Sequence, residues 1–430
     1  MAQEEQANVL VEDDPRYTRM FDVATEAAGR GKEVYGDLSP RMNALREQGA
    51  VHRGLGAELV GVEDHGETEV VRETYTFFSF ETCERAFRDS ETFSNEIYHD
   101  MEIVRTFGDT ILWKTGDDHR RYRAVAQPLF TEAKVINWWK TSWGDEIVAT
   151  LLDHIEKLDR TDLNFSLCAR LPMQLVSQGF GLSGDQALEY RDNLLRAVDV
   201  LPATPEEKKQ AFDRVNDTLR GLITARRAEP RNDVVSGIVH RQLKLEGGGS
   251  RPLTDEEVFA FCRLVMFAGG GTTWRQLGIT LFALLTNDGF WEACRKDRTL
   301  VPAAIEESIR WMPTDPFMPR LVTRDVEVAG VAIPAGARVD LCMGAANRDP
   351  ARWDHPDAYD IFRPVQYNLG TALGQHRCLG HYVTRHEMAW AINGLLDRFP
   401  DLRLDPDEPA PTIVGGSHQR GISALPVLLR

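Results

Sequence analysis

A mainly helical chain carrying a few short strands is the fold this sequence predicts, on three observations. From Thr254 to about Asn287 an apolar stretch runs without a proline, behind a Thr-x-x-Glu start (Thr254, Glu257) in which each residue caps the other. At 1.5 Å per residue such a helix would reach roughly 50 Å, enough to cross a domain. Further stretches at 145–158, 167–179, 185–199 and 205–228 read as helices, the last two parted by the proline-bearing break at 201–205. Strand-type alternation is confined to short pieces, one at 68–78 (Thr74, Tyr75, Thr76, Phe77) and one at Val339, Leu341 and Met343.

Taken in order, the chain starts with Gln3, Glu4, Glu5 and Gln6, then Glu12, Asp13 and Asp14, so residues 1–36 read as an acidic, solvated tail with first turns. Residues 37–48 read as a helix. The stretch 90–114 has no clean period and mixes Ile97, Tyr98, Met101, Ile103, Phe107 and Trp113 with turn residues. After it, His119 and Arg123 stand four apart and would share one helix face. Two donors there suit an anionic carboxylate, although a His-x-x-x-Arg by itself is more often a solvated face. A flexible Gly-rich connector at 246–250 is the low-complexity piece. The central helix carries Gly269, Gly270 and Gly271 in its interior, each costing about 1 kcal/mol relative to alanine. Something flat must press on the backbone there, or the helix must bulge. Glu307 and Arg310 follow at ion-pair spacing, worth only tenths of a kcal/mol if exposed.

Composition narrows the function. With 430 residues, 42% of them hydrophobic, the chain can bury a large core, and a net charge of −16 disfavours nucleic acid as a general partner. No run of about 18 apolar residues and no charged-then-apolar leader is present, so neither a membrane anchor nor a signal peptide is expected. Six cysteines without CxxC pairs fit neither a disulfide framework nor a zinc site, and the cytoplasm is the expected compartment.

One cysteine stands apart. Gly374-Gln375-His376-Arg377-Cys378-Leu379-Gly380 is a glycine turn that presents Cys378 just before a helix expected over 382–396. The positive end of a helix stabilises a thiolate, and the flanking glycines let a flat ligand approach. A single thiolate offered this way suits an axial bond to haem iron.

On these residues the chain resembles the cytochrome P-450 family, whose loop reads Phe-Gly-x-Gly-x-His-x-Cys-x-Gly. It matches at Gly374, His376, Cys378 and Gly380, and departs at Thr371 and Ala372. The resemblance implies an α+β, mainly α fold, with residues 37–430 forming one haem-enclosing domain with small sheets. It implies haem b with Cys378 as iron ligand. It further implies His119, Arg123, Arg320 and His376 on the propionates, Gly380 beside the thiolate, and Ala268 and Thr272 against the distal face. Thr272 would be the alcohol that hydrogen-bonds dioxygen. The acid that usually precedes it is replaced by Gly271, which leaves proton delivery to Thr272 and water, to Thr273, or to the substrate. Glu307, Arg310 and Arg363 would form a buried triad behind the cysteine loop, and 90–114 would cap the substrate cavity, though by its residues it reads equally as a packed surface loop; Phe93, Ile97, Met101, Phe107, Phe267 and Val322 read equally as cavity lining or core.

The implied activity is insertion of one oxygen atom from O2 into a hydrophobic small molecule. Electrons would come from a separate ferredoxin with its reductase, docking near Arg120, Arg121 and Arg377. Because Gly271 removes the acid, a peroxide-driven, coupling or rearrangement reaction is the alternative. The soluble, bacterial type of the family is the expected one.

Overall fold

The computed structural model describes residues 9–11, 14–21, 36–62, 70–101, 106–198 and 200–430. Helices that matter for the site are α1 (Pro15–Phe21), α2 (Ser39–Gln48), α3 (Gly116–Ala126), α4 (Asp145–Ile155), α5 (Arg170–Gly179), α6 (Gly184–Ala197), α7 (Pro205–Ala228), α8 (Asp255–Gly269), α9 (Thr272–Thr286), α10 (Leu300–Trp311) and α11 (His381–Arg398). Strands β1 (Val51–Arg53), β2 (Thr74–Phe77), β3 (Phe93–Ser94), β4 (Phe317–Val322) and β5 (Arg338–Cys342) form a sheet in the order β1-β2-β5-β4-β3. The predominantly helical α+β class expected from the sequence is the one observed.

Local chemistry sets these boundaries. α7 begins at Pro205 behind a capping box made by Thr204 and Glu207, and buries Ala211, Val215, Leu219 and Ile223, one residue per turn. Burying each of the larger of these side chains is worth about 1.5–3 kcal/mol. α8 starts on the expected box, with Glu257 N–H donating to Thr254 Oγ1 at 3.3 Å and Thr254 N–H to Glu257 Oε2 at 2.8 Å. The strand expected over 68–78 is shorter, Thr74–Phe77, and residues 63–69 lie outside the described ones. Within the presumed acidic tail, α1 packs inward, burying Tyr17, Met20 and Phe21.

The central helix is not continuous. α8 ends at Gly269 and α9 starts at Thr272, with Gly270 and Gly271 between them outside helical pairing. The reason is an inserted side chain. Arg191, from α6, donates through Nη1 to the carbonyls of Met266 (2.9 Å) and Phe267 (3.1 Å), and Arg275 donates through Nη1 to the carbonyl of Gly271 at 2.6 Å. These guanidinium groups satisfy carbonyls that a continuous helix would have paired internally, which is a recognised cause of a kink. Glycine is needed for the close approach: a Cβ on Gly269 would stand 3.1 Å from Val176, and one on Gly270 2.8 Å from Arg191.

Two apolar clusters flank the break. One collects the helices, through residues such as Trp139, Leu175, Phe180, Leu281 and Leu395; the other covers the sheet, through Phe77, Phe87, Phe93, Val339 and Leu341. A cavity of about 440 Å³ is lined from both sides. No helix among the described residues is long and apolar enough to cross a membrane.

Candidate active site

Cys378 lines the cavity together with Ala268, Gly271 and Thr272. A short 3-10 turn, Gly374–His376, leads into it, and the loop closes when Cys378 N–H donates to the carbonyl of Thr371 at 3.0 Å. Gly374 has φ +71°, and any Cβ there would collide with the Phe87 carbonyl. Ala372 takes φ +56° in the same loop. A left-handed alanine costs about 1–2 kcal/mol, so the departure from the family's glycine keeps the backbone shape at an energetic cost. α11 then begins at His381, one residue earlier than expected, and its first turn folds back as His381 Nδ1 lies 3.0 Å from the Cys378 carbonyl.

Four side chains converge from separate elements. α3 supplies His119 and Arg123, β4 supplies Arg320, and the cysteine loop supplies His376; all four line the cavity. The two imidazole rings stand 4.0 Å apart between centroids. Both ring nitrogens of His119 and Nε2 of His376 are buried without a hydrogen-bond partner. Burial, then the neighbouring Arg123, pulls the His119 pKa down to about 4. Burial, then His119, Arg320 and Arg123, pulls that of His376 to about 2. Arg320 is 4% exposed, and burial lowers its pKa as it lowers that of Arg123. Arg123 Nε is held by Gln127 Oε1 at 2.8 Å, and Arg320 Nη1 by the carbonyl of Pro319 at 2.7 Å. Buried cations and orphaned donors gathered in one corner call for anionic oxygens. The two carboxylates of a haem fit them, with Cys378 on the same cavity floor.

Also lining the cavity, Thr272 Oγ1 donates to the carbonyl of Ala268 at 3.4 Å. That is long for an O–H···O bond, so the hydroxyl is loosely held and can turn to a ligand. Thr273 faces another way: Thr273 Oγ1 lies 3.1 Å from Thr384 Oγ1 on α11. Beside them is a residue the sequence reading missed. Glu387 is 2% exposed, lines the cavity, and leaves Oε2 without a partner. Burial raises its pKa well above the usual carboxylate value, and the Thr273 hydroxyl offsets only part of this. Its signal in the sequence was a lone acid on the stripe Glu387, Ala391, Leu395, an otherwise buried face of α11.

Gly271 leaves room. A Cβ there would meet Arg191 Nη2 and the Phe267 carbonyl at 3.6 Å each, ordinary contact distances. Gly271→Glu is therefore expected to fold with its acid beside Arg191, its melting free energy within about 1 kcal/mol of the parent. Gly270→Glu should destabilise more, because it displaces Arg191 from the carbonyls it serves. Thermal unfolding of the two variants checks the contrast.

Of the six apolar residues that could serve either cavity or core, Phe267 lines the cavity, and the 90–114 stretch contributes Asn95, Tyr98, Ile111 and Leu112 to it. Phe93, Ile97, Met101, Phe107 and Val322 are core side chains, none more than 7% exposed. Arg120 is ion-paired to Asp117, and Arg121 to Asp118 at 2.8 Å, so these two add little net positive charge to the surface.

With this geometry in view, comparisons with known proteins agree. The Cytochrome P450 family profile matches residues 71–426. The chain is 32% identical over 284 residues to the steroid C26-monooxygenase of Mycobacterium tuberculosis (strain CDC 1551 / Oshkosh), covering 65% of this chain and 75% of that one. It is 32% identical over 298 residues to nocardicin C N-oxygenase of Nocardia uniformis subsp. tsuyamanensis, covering 68% and 73%. The crystal structure of the polyketide synthase cytochrome P450 PksS of Bacillus subtilis 168 superposes with a TM-score of 0.78 at 26% identity, over 91% of this chain and 96% of that one. The chain belongs to the cytochrome P450 family. It is a monooxygenase of that family, an oxidoreductase whose cofactor is haem.

Proposed function

We propose that the protein uses haem b to insert one oxygen atom from O2 into a hydrophobic small molecule, with electrons from a ferredoxin and its reductase, in the cytoplasm. The observation that carries this reading is that Cys378 and Thr272 line one cavity together with His119, His376, Arg123 and Arg320, the last four close to one another. Bound there, the haem supplies the binding and reductive cleavage of dioxygen. Cys378 Sγ would hold the iron as thiolate, Gly380 would leave space beside it, and the four cationic or donor side chains would hold the propionates. Ala268 would leave room in the cavity, and Thr272 Oγ1, loosely held by the Ala268 carbonyl, would be free to hydrogen-bond a ligand there. For the electron donor, Arg377 is exposed and, among the described residues, has no carboxylate within ion-pairing distance; it replaces Arg120 and Arg121 as the centre of the docking face.

Cleaving dioxygen consumes two protons, and no acid stands at position 271. Glu387 fills that role in this reading: burial raises its pKa well above the usual carboxylate value and so favours the protonated acid, whose proton the Thr273 and Thr384 hydroxyls can pass toward the cavity. Glu387→Gln keeps the size and removes the acid. Ferredoxin-driven product formation is expected to fall by at least about tenfold, general acids being worth about 10²–10⁴, with electrons diverted to hydrogen peroxide. Turnover driven by added peroxide should barely change. Gly271 favours one other reading, a peroxide-driven, coupling or rearrangement enzyme. Unchanged ferredoxin-driven coupling in Glu387→Gln, together with faster peroxide-driven turnover in the parent, would establish that one instead.

A further inference from the structure

We propose that Asp315, set by Gln419, is a polar anchor in the cavity wall that takes a positively charged nitrogen of an otherwise apolar substrate; this rests on the haem-monooxygenase reading above. Between α10 and β4 the chain crosses the cavity wall as Pro313-Thr314-Asp315-Pro316, where the two prolines restrict the backbone. Thr314 fixes the crossing from both sides. Its Oγ1 donates to Gln276 Oε1 on α9 at 3.1 Å, and its carbonyl accepts from Arg420 N–H at 2.7 Å. Asp315 and Gln419 both line the cavity.

The carboxylate is oriented but not neutralised. Asp315 Oδ1 accepts from the backbone N–H of Gln419 at 2.9 Å, and Oδ2 has no hydrogen-bond partner among the described residues. Gln419 adopts φ +51°, a strained turn for a non-glycine residue, which brings its N–H to that oxygen. No lysine, arginine or histidine nitrogen among the described residues lies within ion-pairing distance of Asp315. Arg420 is the guanidinium that feels its charge, and it is committed elsewhere, donating through Nη2 to the carbonyl of Pro313 at 3.1 Å.

The cavity that Asp315 lines is also lined by Leu112, Val176, Leu195, Leu264, Val265 and Phe267. Asp315 is half-buried there, and a cation is the ligand group that gains most from a carboxylate oxygen left without a partner. Arg191 and Arg275, also in the wall, direct Nη1 into the carbonyls of the helix break rather than toward Asp315. A substrate with one charged nitrogen on a hydrophobic frame would place that nitrogen at Asp315, which fixes the frame and so the carbon offered for oxidation.

The competing account is that Asp315 only pins the turn at Gln419. Asp315→Asn separates the two, since its amide oxygen can still accept from Gln419 N–H while the charge is gone. The probes are benzyltrimethylammonium and its uncharged carbon isostere neopentylbenzene; neither has a lone pair to coordinate iron. Dissociation constants are measured on the haem-loaded protein by calorimetry and by the spin-state change. Asp315→Asn is expected to weaken the cation by at least about tenfold, as for a charge-assisted contact, while changing the hydrocarbon by less than about twofold. Equal effects on both probes, or none on the cation, would overturn the anchor. The reduced, carbon-monoxide-treated sample is recorded in parallel. Its thiolate band, if missing, brings down the haem reading itself, whereas an intact band with no charge effect brings down the anchor alone.

Discussion

Glu307→Ala is expected to cost about 3–5 kcal/mol, the range for removing one partner of a buried ion pair, and to yield protein that does not retain haem. Glu307 and Arg310 are 6% and 2% exposed and pair bidentately, Nε to Oε2 and Nη2 to Oε1, both at 2.7 Å. Arg363 Nε adds a contact to Oε1 at 3.2 Å, and the backbone N–H of Asp360 another at 3.0 Å. Alanine would leave two buried guanidinium groups facing each other without their shared anion. The damage would not stay local, because Arg310 Nη1 also donates to the carbonyl of Asn347 at 3.0 Å, and Asn347 Oδ1 accepts from Leu369 N–H at 2.8 Å at the head of the cysteine loop. A loss of that size is a large share of the roughly 5–15 kcal/mol that holds a typical domain folded. Equilibrium denaturation and the haem-to-protein ratio measure it. Glu307→Gln should fall between, keeping an acceptor and losing the charge. A Glu307→Ala protein melting within about 1 kcal/mol of the parent with full haem would show that the triad does not support the loop.

What the sequence disclosed was whatever is written in short-range chemistry. The Thr254–Glu257 box is a local pattern, and so is the start of α7 at Pro205; both appear where expected. His119 and Arg123 share a helix face because four residues make about one turn. The cysteine loop was legible from its glycines, and even the alanine at 372 keeps the backbone conformation a glycine would take. Hidden from the sequence was everything made by distant segments meeting. The glycines of the central helix announced a defect, but not that Arg191, some 75 residues earlier, supplies the donor that opens it. Thr384 and Glu387 are a helical step apart on α11, but Thr273 is 111 residues from Thr384, and no period or motif joins it to them. Nothing in the sequence set Asp315 apart; it is the fold that makes it part of the cavity lining. Which side chains of the 90–114 stretch line the cavity was open in sequence, because apolar residues there serve core and cavity equally well; the fold puts Asn95, Tyr98, Ile111 and Leu112 in the lining and Phe93, Ile97, Met101 and Phe107 in the core.

Cys378→Ala is expected to abolish the red-shifted band of the reduced, carbon-monoxide-treated protein and to bring turnover to background, while leaving the fold in place. None of the other cysteines can stand in. Cys83, Cys168, Cys262, Cys294 and Cys342 are fully buried, and burial pushes their thiols up, Cys294 to about 11 and Cys262 and Cys342 to about 12. Burial disfavours their thiolates, and none of the five lines the cavity. Cys378 is the exposed one and the cysteine in the cavity wall. Its loop is fixed by the backbone bond from Cys378 N–H to Thr371 and by the left-handed turn at Gly374, not by its sulfur. Removing Sγ should therefore change the stability of the haem-free protein by no more than about 0.5 kcal/mol, as for a surface substitution. Melting of the haem-free variant and its carbon-monoxide spectrum after haem addition check the two halves separately. An unfolded variant would assign the sulfur a packing role, and an intact thiolate band would place the iron on another residue; either result removes Cys378 from the role proposed for it.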